Sequence, residues 1–211
     1  MKITNIAVRR RGLYLIQQDG GEETLVDRRT WDESPYRLGS ELTEEQWQAL
    51  LQLAQYNRAR ERALYLLGLR DYACKELEKK LYTEADSATA EAVVTRLREV
   101  GLLDDGRYAC RLAKSLTVEK KYPRRRVEQE LRRRGIDSLT VQEALCSLDG
   151  EDFQLALALI EKKYYNKINT AEGRQKVTAA LARRGFSYTA IRRALDEYGV
   201  AQDSEEIEEW L

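Results

Sequence analysis

The residue types that do chemistry are few and scattered in this chain of 211 residues. It contains no histidine, which excludes Ser-His-Asp and Cys-His catalysis, histidine-ligated metals and histidine proton shuttles. The three cysteines, Cys74, Cys110 and Cys146, lie too far apart for a Cys-x-x-Cys site, and an odd number does not suit a disulfide scaffold. We expect them to be small buried residues of helices.

No other pattern assembles an active site. Asp104 and Asp105 precede a helical segment, so they are better interpreted as a helix cap than as paired catalytic acids. Gly20-Gly21 is typical of a turn, and neither GxxxxGK[ST] nor GxGxxG occurs in the chain. No spacing of carboxylates indicates a metal site. The sequence therefore predicts a protein that is not an enzyme and that has no cofactor or metal.

Basic residues form the most concentrated chemical feature. The net charge is zero, with 36 Lys+Arg and 36 Asp+Glu, but the two signs are segregated. Residues 107–134 include eleven basic and three acidic side chains (+8), residues 174–193 include six basic and no acidic ones (+6), and residues 196–211 include seven acidic and no basic ones (−7). This segregation predicts a polyanionic partner, or a partner of matched charge.

Twelve basic residues are the candidate contacts to nucleic acid or to a protein–nucleic-acid filament. They are Lys120, Lys121, Arg124, Arg125, Arg126, Arg132, Arg133, Arg134, Arg183, Arg184, Arg192 and Arg193. One interpretation is a solvated helix face with local pairs to Glu128 and Glu130, and the other is sequence-tolerant contact with phosphates. Six like charges on a short helix repel one another unless an anion is near, which favours the second. Tyr122 beside them is either a packing residue or one that stacks on a base.

Length and composition favour a soluble globular chain. Charged residues make up 34% and hydrophobic residues 43%, which leaves enough apolar side chains for a core. There is no apolar run of about 18 residues and no signal-peptide pattern. We expect a cytoplasmic protein, without a membrane partner, that is a monomer.

The first 30 residues differ from the rest. Three short β-prone runs around Ile6, Leu15 and Leu25 are separated by turn signals at Arg11-Gly12 and Asp19-Gly20-Gly21. They predict a small antiparallel β-meander, which has poor stability alone and should pack on a helix.

Everything after residue 43 is predicted to be helical. Thr43 and Gln46 are spaced as a capping box, and an apolar stripe follows at Trp47, Leu50, Leu51 and Ala54. Glycines in the left-handed conformation are expected to end helices at Gly101, Gly135, Gly185 and Gly199. N-caps are expected to begin helices at Asp105, Ser138, Ser187 and Ser204.

An internal repeat organises these helices. The segment EQELRRRGIDSLTVQEAL recurs fifty residues later as TAALARRGFSYTAIRRAL, and a weaker earlier copy keeps Leu77, Leu81, Val93 and Leu97. Each copy is preceded by another helix, beginning near Ala63, Ala109 and Ala156. The fold class is therefore mainly α: tandem three-helix, helix-turn-helix-like repeats in an elongated array behind the meander. The expected divisions are 1–42 (meander and connector), 43–104 (capped helix and first repeat), 105–149 (second repeat), 150–199 (third repeat) and 200–211 (acidic tail).

Two features could mark partner surfaces. Helix-turn-helix shape alone is weak evidence for sequence-specific DNA reading, because many helical bundles contain it. The last helix of the second repeat has Glu143 and no basic residue, which argues against such reading, whereas the third repeat has Arg192 and Arg193 there. In the tail, Ile207, Trp210 and Leu211 form one apolar edge, which either docks on the third repeat or binds a partner or shields the basic surface.

Several motifs in order resemble the RecX family, bacterial regulators of the RecA recombinase. The residues 101–109 resemble its G-x-L-D-D-x-R-Y-A junction, and residues 58–198 are covered by the likeness. First-repeat and third-repeat motifs are matched at residues 63–67 (ALYLL), 70–72 (RDY), 76–77 (EL), 80–81 (KL) and 183–188 (RRGFSY). The usual first-repeat serine is Ala73 here, and Pro123 replaces the glycine before the second repeat's basic helix.

The resemblance implies a non-enzymatic modulator. Family members are three-repeat helical proteins that lie in the groove of RecA–DNA filaments and inhibit or destabilise them, which limits recombination, DNA repair by recombination and SOS signalling. The expected partners are the RecA filament and single- or double-stranded DNA, bound without sequence preference. The alternative is a general DNA-binding helical repeat protein, which should bind DNA alone with a slope of roughly −3 to −4 in log K against log salt for about four to six phosphates.

Overall fold

A computed structural model of the chain describes residues 1–9, 12–146, 148 and 151–208, with the side chains of 151 and 199–208 left out. The chain divides into two compact units, residues 1–104 and 105–211. Within the described ranges, three strands, ten helices and one 3₁₀ turn follow in the order β1 (Ile3–Arg9), β2 (Leu13–Gln18), β3 (Glu23–Asp27), α1 (Arg28–Glu33), α2 (Glu44–Leu69), α3 (Cys74–Leu81), α4 (Ser87–Glu99), α5 (Asp105–Val118), α6 (Arg124–Arg133), α7 (Ser138–Cys146), α8 (Glu151–Lys163), the 3₁₀ turn (Tyr165–Lys167), α9 (Ala171–Arg183) and α10 (Tyr188–Glu208).

The first unit begins with the predicted antiparallel meander, in the order β1-β2-β3. Gly12 and Gly21 have φ angles of +70° and +80°, which L-residues rarely adopt, and so they supply the two turns. The inner face of the sheet buries Ile16 and Val26 against Trp47 of α2. The mainly helical fold with an N-terminal meander is thus confirmed, as is the packing of that meander on a helix.

A short helix, α1, lies in the segment expected to be only a connector. The Asp27 carboxylate accepts a hydrogen bond from the Thr30 backbone N–H at 2.8 Å and begins the helix. Trp31 on this helix is buried in the same core as the sheet. Six residues are too short for a periodic pattern, so the cap was the only sequence signal for α1.

The capped helix and the first helix of the first repeat are one continuous helix, α2, of 26 residues. Its capping box is present: the Gln46 N–H donates to Thr43 Oγ1 (3.2 Å) and the Thr43 N–H donates to Gln46 Oε1 (3.0 Å). A helix beginning near Ala63 was therefore a wrong prediction. No proline or glycine stands between Gln46 and Ala63, so nothing interrupts the helix there.

The rest of the first unit is the first repeat, built from the end of α2 with α3 and α4. Leu77, Leu81, Val93 and Leu97 are all buried in one cluster, as their spacing predicts. Ala73 stands at the N-cap of α3 without a side-chain hydrogen bond, which follows from its missing hydroxyl.

The second unit contains two similar three-helix groups, α5–α7 and α8–α10. The repeated apolar positions are buried in both, with Leu131 and Leu181 fully enclosed. Gly135 and Gly185 have φ angles of +83° and +99° and end α6 and α9 as predicted, and Gly101 does the same after α4. Gly199 was wrongly predicted to end a helix, because α10 continues through it.

Two predicted caps lie one residue from the observed ones, and a third is absent. The carboxylate of Asp137, not Ser138, accepts from the backbone N–H groups of Leu139 and Thr140. Asp105 is the first residue of α5 rather than its cap. Ser187 caps α10 as predicted, since its hydroxyl accepts from the Ala190 N–H, whereas Ser204 lies inside that helix.

The cysteines are not the buried residues that the sequence suggested. Cys110 and Cys146 are exposed and Cys74 is half-buried, and no disulfide joins any two of them. The predicted apolar edge of the tail involves side chains that lie outside the described residues. Among the helices of the described ranges, none is long and apolar enough to cross a bilayer.

Candidate functional site

The twelve candidate residues all lie in the second unit, on two stretches of chain. The first stretch is the α5–α6 connection and α6, and the second is the end of α9 with the first half of α10. The turn after α9 packs against the beginning of α6: a Cβ placed on Gly185 would lie 3.4 Å from Pro123 Cγ and 3.5 Å from Arg126 Cβ. The fold therefore brings together basic residues that are about sixty positions apart in the chain.

The connection before α6 is held in an unusual conformation. Lys121 has a φ angle of +54° and is the one non-glycine residue with a positive φ within the described ranges. Left-handed geometry is unfavourable for an L-residue with a Cβ. The Tyr122 N–H donates to the Leu116 carbonyl at 3.1 Å, which closes the connection onto the end of α5. Lys120 and Lys121 are both exposed on this loop.

Arg124 is engaged inside the unit rather than free in solvent. Its backbone N–H donates to Asp152 Oδ1 at 2.7 Å, and its Nη1 donates to the Leu145 carbonyl at 2.8 Å. Pro123 at the N-cap of α6 has no side-chain hydrogen bond, so the Asp152 carboxylate from the third repeat does the capping. The guanidinium meanwhile satisfies a carbonyl in the last turn of α7. Arg124 thus links the second and third repeats.

Arg126 and Arg134 each lie against a tyrosine. The Arg126 guanidinium carbon is 4.0 Å from the Tyr122 ring centroid, and its Nη2 donates to the Tyr122 hydroxyl at 3.3 Å. Arg134 Nη1 donates to the hydroxyl of buried Tyr108 at 2.6 Å. Because Arg126 covers one face of Tyr122, that ring is in part already stacked, and the packing interpretation of Tyr122 has direct support.

Arg132 and Arg133 form the local ion pairs that the sequence indicated. Arg132 Nη2 lies 2.9 Å from Glu128 Oε1, and Arg133 Nη2 lies 2.8 Å from Glu130 Oε2. Both arginine side chains remain well exposed, so these pairs contribute little to stability and leave the cations accessible.

The remaining candidates differ in exposure. Arg125 and Arg183 are exposed and form no ion pair with any described carboxylate, and Arg184 is half-buried. Arg192 Nε lies 3.8 Å from Asp196 Oδ2, and the Arg193 guanidinium carbon lies 4.8 Å from the Phe153 ring centroid. We call Lys121, Arg125 and Arg183 the junction cations, because they flank the place where the α9 turn meets α6.

The chemistry available at this surface is electrostatic. Guanidinium and ammonium groups donate hydrogen bonds to phosphate or carboxylate oxygens. No group of three metal-ligating side chains occurs among the residues that the structure describes. The arrangement therefore fits recognition of an anionic surface.

Sequence reasoning missed Tyr108, whose hydroxyl accepts a hydrogen bond from the Arg134 guanidinium, and Asp152, whose carboxylate accepts one from the Arg124 backbone N–H. It also missed a second lysine-rich segment in the third repeat. The tetrapeptide Glu-Lys-Lys-Tyr at residues 119–122 recurs at residues 161–164, and this identity was the available signal.

Comparison with known proteins identifies the family of the chain. Residues 104–145 match the model described as "RecX, second three-helix domain", and residues 150–195 match "RecX, third three-helix domain". A relative named "Regulatory protein RecX" from Clostridioides difficile (strain 630) is 30% identical over 78% of this chain and 82% of its own length. The chain belongs to the RecX family. Another RecX protein, from Trichlorobacter lovleyi, is 35% identical over 64% of this chain and 92% of its own length.

Solved structures of RecX proteins have the same fold. One, described as the crystal structure of regulatory protein RecX, superposes with a TM-score of 0.68 at 26% identity, covering 92% of this chain and 98% of its own. RecX from Lactobacillus salivarius superposes with a TM-score of 0.64 at 21% identity, covering 69% of this chain and 97% of its own. The RecX likeness therefore extends over most of the fold, including the repeats that hold the basic residues.

Proposed function

We propose that this protein is a regulator without catalytic activity that binds the RecA–DNA filament and restrains it. Membership of the RecX family and the relatives' name, regulatory protein, support a regulatory role. Binding in the filament groove would limit filament growth, and with it recombination and SOS signalling. The observation that carries the proposal is the meeting of two basic segments at the junction of α6 and the α9 turn.

The junction cations suit a filament that displays both protein and phosphate. Arg125 and Arg183 are exposed without a local carboxylate partner among the described residues, so their guanidinium groups are available for a partner's anions. Arg132 and Arg133 exchange weak surface pairs for contacts with the partner at small cost. By contrast, the internal contacts of Arg124 and Arg134 give these two residues a positioning role.

The test measures ATP hydrolysis by RecA on single-stranded DNA in the presence of this protein. We expect the wild-type chain to lower the rate at stoichiometric concentration. The variant Lys121→Gln/Arg125→Gln/Arg183→Gln should need roughly tenfold more protein for the same effect, which corresponds to about 1.4 kcal/mol of binding free energy. A matched control is Lys75→Gln/Lys79→Gln/Lys80→Gln, which removes three exposed charges from α3 in the first unit.

Two results would contradict the proposal. One is a wild-type protein that changes neither the hydrolysis rate nor the filament length seen by electron microscopy. The other is an α3 control that loses as much activity as the junction variant, because the effect would then depend on total charge alone. Tight binding to DNA without any effect on RecA would favour the alternative of a general DNA-binding protein.

A further inference from the structure

The end of α8 and the turn that follows it form a second cationic surface, separate from the twelve candidate residues. The Glu-Lys-Lys-Tyr sequence directly follows α5 in the second repeat, whereas in the third repeat its first three residues are the last three of α8. In the third repeat it continues into Tyr165, Asn166 and Lys167, which form the 3₁₀ turn. A shallow groove of about 680 Å³ opens here, lined by Glu161, Lys162, Lys163, Tyr165, Asn166 and Lys167.

The charge of this groove is positive. Lys162, Lys163 and Lys167 are exposed, and none forms an ion pair with a carboxylate among the described residues. Glu161 is the one acidic residue of the described lining. Three ammonium groups around a concave surface attract and position an anionic chain.

An exposed aromatic ring stands in the middle of these lysines. Tyr165 is 57% exposed, and its ring is supported by Tyr198 in an edge-to-face contact with centroids 6.0 Å apart. In the second repeat, the corresponding tetrapeptide places Tyr122 half-buried under Arg126. The matching tyrosine of the third repeat is Tyr164, which is also half-buried and packs against that repeat's core. The exposed ring of Tyr165 is therefore an additional one, at a position where the second repeat has Pro123.

The turn that presents Tyr165 is fixed against α9. The Lys167 N–H donates to the Tyr164 carbonyl at 2.8 Å, and Arg174 Nε donates to the Ile168 carbonyl at 2.8 Å. The backbone of α9 approaches so closely that a Cβ on Gly173 would collide with the Lys167 carbonyl oxygen. A ring held in place before binding loses little conformational entropy when a ligand stacks on it.

We propose that this lysine–tyrosine groove binds single-stranded nucleic acid, with a base stacked on Tyr165 and backbone phosphates on Lys162, Lys163 and Lys167. A cationic groove with a solvent-facing aromatic ring is the usual means of holding single strands without sequence preference. Bases in a duplex are already stacked on one another, so a duplex would use the lysines but not the ring. The inference rests on the proposed function in one respect: the RecA filament of the proposed assay is formed on single-stranded DNA.

The experiment measures binding of the full chain, without recombinase, to a fluorescein-labelled oligothymidylate of about 16 nucleotides by fluorescence anisotropy. Tyr165→Ala should raise Kd about tenfold, whereas Tyr165→Phe and Tyr165→Trp keep an aromatic face and should stay near the wild-type value. Tyr188→Ala is the matched control, because Tyr188 is 69% exposed on α10 and lies outside the groove lining. Thermal melting of each variant shows whether a loss of binding reflects a loss of folding.

The lysines are tested through salt dependence. Lys162→Gln/Lys163→Gln/Lys167→Gln should make the slope of log K against log salt less negative by about 2, since each phosphate contact in a single strand contributes about 0.7. The α3 variant Lys75→Gln/Lys79→Gln/Lys80→Gln should leave the slope unchanged.

Three outcomes would overturn the inference: no binding of the oligothymidylate, an unchanged Kd in the folded Tyr165→Ala variant, or a duplex of equal length that depends equally on Tyr165. Equal competition by inorganic polyphosphate together with an unchanged Kd for Tyr165→Ala would identify a purely electrostatic surface.

The two proposals fail separately. Tyrosine-dependent binding of the oligonucleotide with no effect on RecA refutes only the proposed function, and restraint of RecA by a wild-type protein that does not bind the oligonucleotide refutes only this inference.

Discussion

At the scale of single residues, Arg124 and Arg125 are neighbours in sequence with different surroundings. Arg124 donates to the Leu145 carbonyl and, through its backbone, to the Asp152 carboxylate. Arg125, the next residue of α6, is exposed and forms no ion pair with a described carboxylate. One is therefore a structural residue between repeats, and the other is available for a partner.

We expect Arg124→Ala to lower the free energy of unfolding by about 1–3 kcal/mol, because the part-buried hydrogen bond from its charged guanidinium to the Leu145 carbonyl is lost. Arg125→Ala should change it by less than about 0.5 kcal/mol. Urea denaturation followed by circular dichroism measures both. Equal losses in the two variants would show that the contacts of Arg124 contribute nothing beyond those of an exposed arginine.

Sequence alone does not separate these two arginines. The run 124–126 is Arg-Arg-Arg, and a helical period places its members on different faces without saying which face meets another repeat. The Arg124 guanidinium donates to the Leu145 carbonyl on another helix, 21 residues away. Contacts of this kind depend on how helices pack, which one-dimensional periodicity does not encode.

At the scale of helices, the turn between the last two helices of each repeat has the same backbone but a different cap. Asp137 in the second repeat and Ser187 in the third stand two residues after the glycines Gly135 and Gly185. The hydroxyl and backbone N–H of Thr140 donate to the Asp137 carboxylate and hold its pKa below the ordinary value. The Ser187 hydroxyl does not titrate in this range.

Asp137→Ser should therefore keep α7 capped while removing a pH-dependent contribution. Since the folded-state pKa of Asp137 is lowered, its stabilising contribution is present above the ordinary pKa of about 4 and is lost as the pH falls through the lowered value. Melting temperatures of the two proteins, followed from about pH 6 to about pH 3, should show a wild-type advantage that shrinks at the acid end. An advantage that stays constant with pH would mean that ionisation of Asp137 does not stabilise the fold.

Helix existence was predictable from sequence, and helix boundaries were less so. Apolar periodicity and left-handed glycines located Leu131, Leu181 and the turns after them, because these signals are strong and local. Adjacent capping candidates such as Asp137 and Ser138 compete, and only the backbone geometry decides between them. Gly199 resembled a helix end, but α10 continues through it.

At the scale of the whole molecule, the zero net charge conceals a strong asymmetry. Residues 105–193 include 20 basic and 11 acidic side chains, a net charge of +9, and residues 196–211 carry −7. Opposite charges on one chain attract each other. Salt screens this attraction beyond about one Debye length, which is about 10 Å at 0.1 M salt. We therefore expect the acidic residues at the end of the chain to oppose binding of a polyanion to the basic repeats.

Neutralising the acidic end should strengthen polyanion binding in a salt-dependent way. The variant Asp203→Asn/Glu205→Gln/Glu206→Gln/Glu208→Gln/Glu209→Gln changes the net charge from zero to +5 without shortening the chain. We expect its Kd for the labelled oligothymidylate to be lower than that of the wild type at about 0.05 M salt and to converge with it at about 0.5 M, where screening removes long-range attraction. The control is an equal number of neutralised acids in the first unit, Glu22, Glu23, Asp32, Glu33 and Glu41, which are all exposed. If both variants gain affinity equally, total charge governs binding, and the position of the acids at the end of the chain has no special effect. If only the variant at the chain end gains affinity, the acidic residues compete locally for the basic repeats and set how readily this RecX protein engages an anionic partner.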